Sequence, residues 1–184
     1  MEDISKWLKE IFERKEEPLS ELINKYSPSI RRFILGIVKN DEDAKELTQE
    51  TFLRFLNHPQ NFKEVDEMRN YLFQIAHNLS LTKVTKASSR REEFYDELPE
   101  KGVDENLSNS IIKKEEREFV LNLLQILPPQ QRKVVILKIW EDLTFKEIAK
   151  ILSLSEGSVK AHYFFALKKL REEVSKKGVE NGRN

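Results

Sequence analysis

The residues best suited by type and spacing to a chemical task lie between Thr144 and Lys168. Thr144-Phe-Lys-Glu147 has the spacing of a capping box: the Thr hydroxyl can accept from the amide of Glu147, whose carboxylate can reach back to the amide of Thr144. Ser155 is placed to cap a second helix, and Leu154 to staple onto Val159. Ser153-Leu154-Ser155 leaves room only for a tight turn, so the two helices form a helix-turn-helix. On the second helix Val159, Tyr163, Ala166, Leu167 and Leu170 share a face and belong to a core. The opposite side presents Gly157, Ser158, Ala161, Phe164 and Lys168, flanked by Lys160. Small residues near the start of such a helix let its backbone approach the major groove, while lysine makes salt-dependent phosphate contacts. An amphipathic helix pair alone is more often plain structure. Box, turn, staple and small outward face together favour binding to duplex DNA.

Little else in the chain suits chemistry. There is no cysteine, and three histidines, His58, His77 and His162, are scattered along it. With no thiolate, no metal-ligand spacing and no glycine-rich phosphate loop, the chain reads as neither an enzyme nor a zinc protein, and no cofactor is expected. His77 reads as a polar or half-buried helix residue rather than a general base. Lys plus Arg and Asp plus Glu both number 32, so net charge is silent about nucleic acid. The distribution is not. From Arg69 to Arg91 the charges are Arg69, Lys83, Lys86, Arg90 and Arg91 with no acid, whereas Glu92 to Glu105 holds seven acids and one lysine. That reversal can make one segment locally cationic, or it can be a solvated helix face beside a solvated linker.

The elements that position these residues are helices. Charged residues make up 35%, hydrophobic ones 39%, with 5 Gly and 6 Pro in 184 residues, a helix-rich composition. Ile4, Trp7, Leu8, Ile11 and Phe12 recur at helical spacing; so do Leu19, Leu22, Ile23 and Tyr26, then Ile30, Phe33, Ile34, Ile37 and Val38. Asn40-Asp41 can cap a helix whose buried side is Ala44, Leu47, Phe52, Phe55 and Leu56, ending before Pro59. A long helix from about Asp66 to Ser88 turns Tyr71, Leu72, Ile75, Leu79 and Val84 inward. Residues 92–111 form an acidic, aperiodic stretch with Pro99 and Gly102, which reads as a flexible interdomain linker. Hydrophobic pattern returns at Phe119, Val120, Leu123, Leu124 and Leu127, breaks at Pro128-Pro129, and resumes through Val134, Val135, Leu137 and Trp140. The expectation is an all-α chain of two small helical domains, 1–91 and 112–175, followed by a frayed tail, 176–184. No apolar run approaches the length of a membrane span and no signal peptide opens the chain, so a cytoplasmic protein without membrane insertion is expected.

Two segments resemble one family, the extracytoplasmic-function (ECF) sigma factors, short two-domain sigma-70-like subunits of bacterial RNA polymerase. The first, from about Leu19 to Arg91, contains Asp43-Ala-Lys-Glu-Leu-Thr-Gln-Glu-Thr-Phe-Leu-Arg-Phe55, similar to the family's acid-Ala-x-acid-Leu-x-Gln-Glu-x-Phe helix, and then Tyr71-Leu-Phe-Gln-Ile-Ala-His-Asn-Leu79. The second, from about Phe119 to Glu173, has Leu127-Pro128, Glu147-Ile-Ala and Ser155-Glu-Gly-Ser-Val-Lys160. A helix-turn-helix alone is unspecific; its pairing with the Gln49-Glu50 helix is what makes the resemblance specific. The resemblance implies that the first segment is sigma region 2 and docks on the clamp coiled coil of polymerase core through Glu46, Gln49, Glu50 and Phe52. From spacing alone, Glu46, Gln49 and Glu50 share an exposed helix side that could equally be solvated. The loop of residues 57–66 and the helix around Asn78, Lys83 and Lys86 match the part that reads and opens the minus-ten element. Such a task needs a polar, stacking pocket for an unpaired base and cations along the separated strand. The second segment matches region 4, reading the minus-thirty-five element with Thr144, Ser155, Ser158, Lys160, Ala161 and His162 while another side meets the polymerase flap. An anti-sigma protein is a further partner allowed by analogy, and a free monomer is expected.

The chain also departs from the family, which often has Arg at the positions of His162 and Phe165, Asp at Thr82 and Trp at Tyr71. Loss of two arginines should weaken salt-dependent DNA binding by the isolated domain. Phe164 and Phe165 could touch thymine methyls, pack on the preceding helices or meet an inhibitor, with packing favoured for at least one. Two other readings stand beside the sigma subunit: a dimeric DNA-binding regulator that never joins polymerase, and a sigma-like decoy that binds polymerase without starting transcription.

Overall fold

The computed structural model describes residues 4–91 and 123–181, with side chains described as far as residues 87 and 176 in the two stretches. The expected linker, 92–111, and the start of the second domain at 112 lie outside the described residues. Among the described residues the helices are α1 (Ile4–Phe12), α2 (Glu16–Val38), α3 (Asp41–Asn57), α4 (Val65–Arg91), α5 (Pro129–Ile139), α6 (Phe145–Leu152) and α7 (Glu156–Asn181), with a further helical turn at 123–125 ahead of α5. They fall into two compact units, the first holding α1–α4 and the second α5, α6 as far as Ala149, and α7.

In the first unit α2, α3 and α4 pack mutually, with α1 against α2. Each helix contributes a stripe at helical spacing, including Leu22, Ile30, Phe33 and Ile34 from α2, Ala44 and Phe55 from α3, and Met68, Leu72, Phe73 and Ala76 from α4, all fully buried. Phe55 sits at the centre of an aromatic cluster, 5.3 Å from Phe12, 6.1 Å from Phe62 and 6.4 Å from Tyr71 between ring centroids. Buried Phe62 thereby pins the loop between α3 and α4 to the core, leaving its neighbours Gln60, Asn61 and Lys63 exposed. Three buried hydroxyls of this core are satisfied locally: Thr48, Thr51 and Ser80 each donate to the carbonyl four residues earlier at 2.6–2.7 Å. His77 is more buried than expected, 4% exposed, its ring 6.4 Å from that of Phe33. Val84, expected inward, is 37% exposed although 77, 80 and 84 continue one helical stripe: beyond Ser80 no described residue of α4 is buried, so the helix has outrun the core.

Helix α3 starts as expected, with the Asn40 side chain accepting from the amide of Asp43 at 2.9 Å. Arg31 clasps Asp41 through both carboxylate oxygens at 2.7 Å, tying the first turn of α3 to α2.

The second unit is organised by α5 and α7, which pack on each other. Pro128-Pro129 stops the preceding helical turn and starts α5, since proline is pre-set for a first helical position. Arg132 reaches back from α5 and is 4% exposed; its Nε donates to the Leu124 carbonyl at 2.8 Å, and Nη2 to those of Gln125 and Leu127 at 3.0 and 2.9 Å. One guanidinium thus satisfies the carbonyls that the proline break orphans. Helix α7 runs on to Asn181, past the point after Ser175 where the sequence suggests fraying.

Candidate functional site

In the helix-turn-helix, backbone bonding carries out what the capping residues imply. The Thr144 amide donates to Glu147 Oε2 at 2.8 Å and the Glu147 amide to Thr144 Oγ1 at 3.2 Å, the reciprocal capping box. Helix α6 ends on Ser153 in the left-handed region (φ 55°), with the Leu154 amide returning to the Ala149 carbonyl at 2.9 Å. Ser155 then caps α7 by accepting from the Ser158 amide at 3.0 Å, and Val159, on the staple position, is fully buried.

The DNA-facing candidates are laid out along the open side of α7. Gly157, Ser158, Lys160 and Ala161 are exposed and His162 is half-buried. A side chain added at Gly157 would meet nothing closer than Ser155 Oγ at 3.9 Å, so this face is open at its N-terminal end. Two candidates are internally engaged. The Ser158 hydroxyl lies 2.8 Å from that of Ser155. Lys160 pairs with Glu156 at 2.7 Å and stands 6.0 Å from the Phe145 ring centroid. Hydrogen bonding from Lys160, with its charge, holds the Glu156 carboxyl below its ordinary pKa. Phe164 and Phe165 are 65% and 55% exposed, with ring centroids 5.6 Å apart in an edge arrangement. Packing of one of them on the preceding helices, the favoured expectation, finds no support in burial: both stay more than half exposed, while Val159 and Ala166, on the opposite side of α7, are buried.

In the first unit, Glu46, Gln49, Glu50, Thr82, Lys83 and Lys86 line an open groove between α3 and α4. The structure thus brings together residues expected to meet two different partners. Lys83 Nζ lies 2.7 Å from Asp43 Oδ1 and 3.2 Å from Glu46 Oε2. Those hydrogen bonds, Asp43 first, raise the lysine pKa above its ordinary value. Glu50 pairs with Arg54 at 2.7 Å. Asn78 is exposed on α4, and its carbonyl accepts from the Thr82 hydroxyl at 3.0 Å.

Phe52 is a correction. Its side chain is 6% exposed, so it belongs to the core of the unit, as its helical spacing implies, and is not available as a docking side chain. The apolar group on that surface is its neighbour Leu53, 52% exposed and lining the same groove. The signal for Leu53 was present in the sequence: 46, 49, 50 and 53 continue one 3–4 spacing along α3. Asp43, whose partner is 40 residues away in sequence, carried no such signal.

Comparison with known proteins finds two family models in the chain. Sigma-70 region 2 matches residues 22–90, and Sigma-70, region 4 matches residues 118–170. The RNA polymerase sigma-E factor of Streptomyces avermitilis is 26% identical over 160 residues, 87% of this chain and 87% of that protein. The ECF RNA polymerase sigma factor SigM of Bacillus subtilis is 26% identical over 153 residues, 83% of this chain and 93% of the relative. Among solved structures, the sigma factor RpoE in complex with the anti-sigma factor NepR from Bartonella quintana superposes with a TM-score of 0.66 at 18% identity, covering 85% of this chain and 96% of that one. CnrH, in complex with the cytosolic domain of CnrY, gives 0.63 at 17% identity over 92% and 95%. The chain belongs to the sigma-70-like family of sigma factors, as a member of the ECF type. It is therefore a transcription initiation factor and not an enzyme. Among the described residues no helix is long and apolar enough to cross a membrane.

Proposed function

We propose that this protein binds RNA polymerase core through the exposed stripe of α3, Glu46, Gln49, Glu50 and Leu53, and directs it to a restricted set of promoters. The observation that carries the reading is that stripe: three polar side chains at helical spacing around an exposed leucine, in the same chain as a fully capped helix-turn-helix. On this reading Asn78, Lys83 and Lys86, with the loop after α3, serve the minus-ten element. Ser158, Lys160, Ala161 and His162, set by the caps at Thr144 and Ser155, serve the minus-thirty-five element. The flap of core is the second polymerase contact, and the protein works as a monomer in the cytoplasm, where polymerase is. Melting draws on binding energy and needs no nucleotide hydrolysis by this subunit.

An anti-sigma protein is a further proposed partner, supported by the anti-sigma factor bound to RpoE in the first of the similar structures.

The test is transcription from a genomic promoter library by core polymerase of the source organism, with and without the protein. New start sites sharing spaced upstream elements are expected. Core binding without new starts would instead mark a decoy, and neither binding nor starts would leave a plain DNA-binding regulator. Gln49→Ala with Glu50→Ala should weaken core binding at least about tenfold while the fold is kept, a loss typical of central interface residues; wild-type affinity would remove this face from the interface.

A further inference from the structure

The least expected feature of the open face of α7 is its apolar centre. Gly157, Ala161, Phe164 and Lys168 recur at 3–4 spacing on the side opposite buried Val159 and Ala166, and Phe165 with Ser158 lies one step to the side. Two phenyl rings, 65% and 55% exposed, meet edge to face directly after the small residues that begin the helix. Near the start of this face the flanking cation, Lys160, is paired with Glu156 at 2.7 Å, and exposed Lys168 follows only beyond the rings. A side chain added at Gly157 would meet nothing closer than 3.9 Å, so this face is open where the helix begins and free to approach a groove. The major groove is about 12 Å wide and presents an apolar group at its floor, the thymine C5-methyl.

We propose that Phe164 and Phe165 form a hydrophobic wedge that reads thymine methyls in the upstream promoter element. The proposal rests on the reading of α7 as the minus-thirty-five helix. The two rings already rest on each other edge to face, which reduces the side-chain freedom left to lose on meeting DNA.

The test uses full-length protein bound to core, on a promoter defined by start-site mapping, with each upstream thymine replaced in turn by deoxyuridine, which deletes only the methyl. Wild-type holoenzyme should lose about fourfold in affinity at one or more positions, equivalent to ~0.8 kcal/mol per buried methyl-sized group. Phe164→Ala with Phe165→Ala should bind thymine and deoxyuridine promoters equally. Phe165→Arg should steepen the log-log salt dependence by roughly one unit while reducing the methyl preference. Equal binding of the two promoters by wild type overturns the proposal. So does an unchanged thymine preference in the alanine variant, which would assign the rings to a protein partner. Failure of the underlying reading looks different: scrambling the whole upstream element would then leave holoenzyme binding unaltered.

Discussion

Phe52 and Leu53 are adjacent in sequence and opposite in environment, 6% and 52% exposed, and the pair separates what holds α3 in place from what α3 can offer a partner. Truncating Phe52 to Ala should cost ~3–5 kcal/mol of stability, the range for a large buried ring. Truncating Leu53 to Ala should leave stability within about 0.5 kcal/mol, as for exposed positions generally. Its effect should fall on core affinity, by about 1 kcal/mol or roughly fivefold. Denaturant unfolding and core titration of both variants check this, and a Leu53→Ala protein that binds core normally would take the leucine out of the interface. Arg132 is the second residue whose role spacing does not show. Burial lowers its pKa from the ordinary arginine value, yet its three carbonyl contacts keep it in place. Arg132→Ala should destabilise the second unit by at least about 2 kcal/mol, since charge-assisted bonds are lost and buried carbonyls are left unpaired. Arg132→Lys should recover only part of this, because an ammonium lacks the planar fork. Periodicity says that a position faces inward; it does not say that a charged residue facing inward has found carbonyls there.

At the scale of elements, helix starts were more legible than helix ends. Asn40, Thr144 and Ser155 are capping types in capping positions, and each makes its expected bond. The ends were read mainly from prolines, because the usual glycine after a helix is missing. Arg14, Lys39, Asp142 and Ser153 adopt left-handed backbone at the helix connections, with φ between 48° and 59°. Nothing in those side chains announces the conformation, which costs a non-glycine residue roughly 1 kcal/mol. Ser153→Gly should therefore stabilise the helix-turn-helix by about 0.5–1 kcal/mol, with promoter binding unchanged, since Ser153 is exposed and outside the reading face. A thermal midpoint equal to or below wild type would mean that the serine is held there by interactions beyond its backbone. The same shortage of local signal explains Val84: a stripe continued by periodicity alone runs past the last residue that has a core to face.

For the molecule as a whole, equal numbers of cations and anions, 32 and 32, leave DNA binding to charges that are locally uncompensated. Two of the lysines assigned to DNA do not meet that condition. Lys160 is paired with Glu156, and Lys83 with Asp43 and Glu46. The second case joins the two proposed tasks of the first unit, because Glu46 is also in the stripe offered to polymerase. A carboxylate engaged by core is less able to hold Lys83, so docking and capture of the open strand should favour each other. Exposed pairs are weak, ~0–1 kcal/mol, so the effect should be modest. The raised pKa of Lys83 fixes the pH behaviour: the ammonium stays paired below its ordinary value of 10.5, and the contribution is lost as pH rises through the higher folded value. Asp43→Asn with Glu46→Gln should raise the affinity of the free protein for a minus-ten single strand by about two- to fivefold at low salt. It should also steepen the salt dependence by up to about one unit, the signature of one added phosphate contact. Fluorescence anisotropy with a labelled oligonucleotide measures both quantities. Adding Lys83→Ala to the double variant should abolish the gain, and a gain that survives would assign the new affinity to the lost negative charge alone rather than to a released lysine.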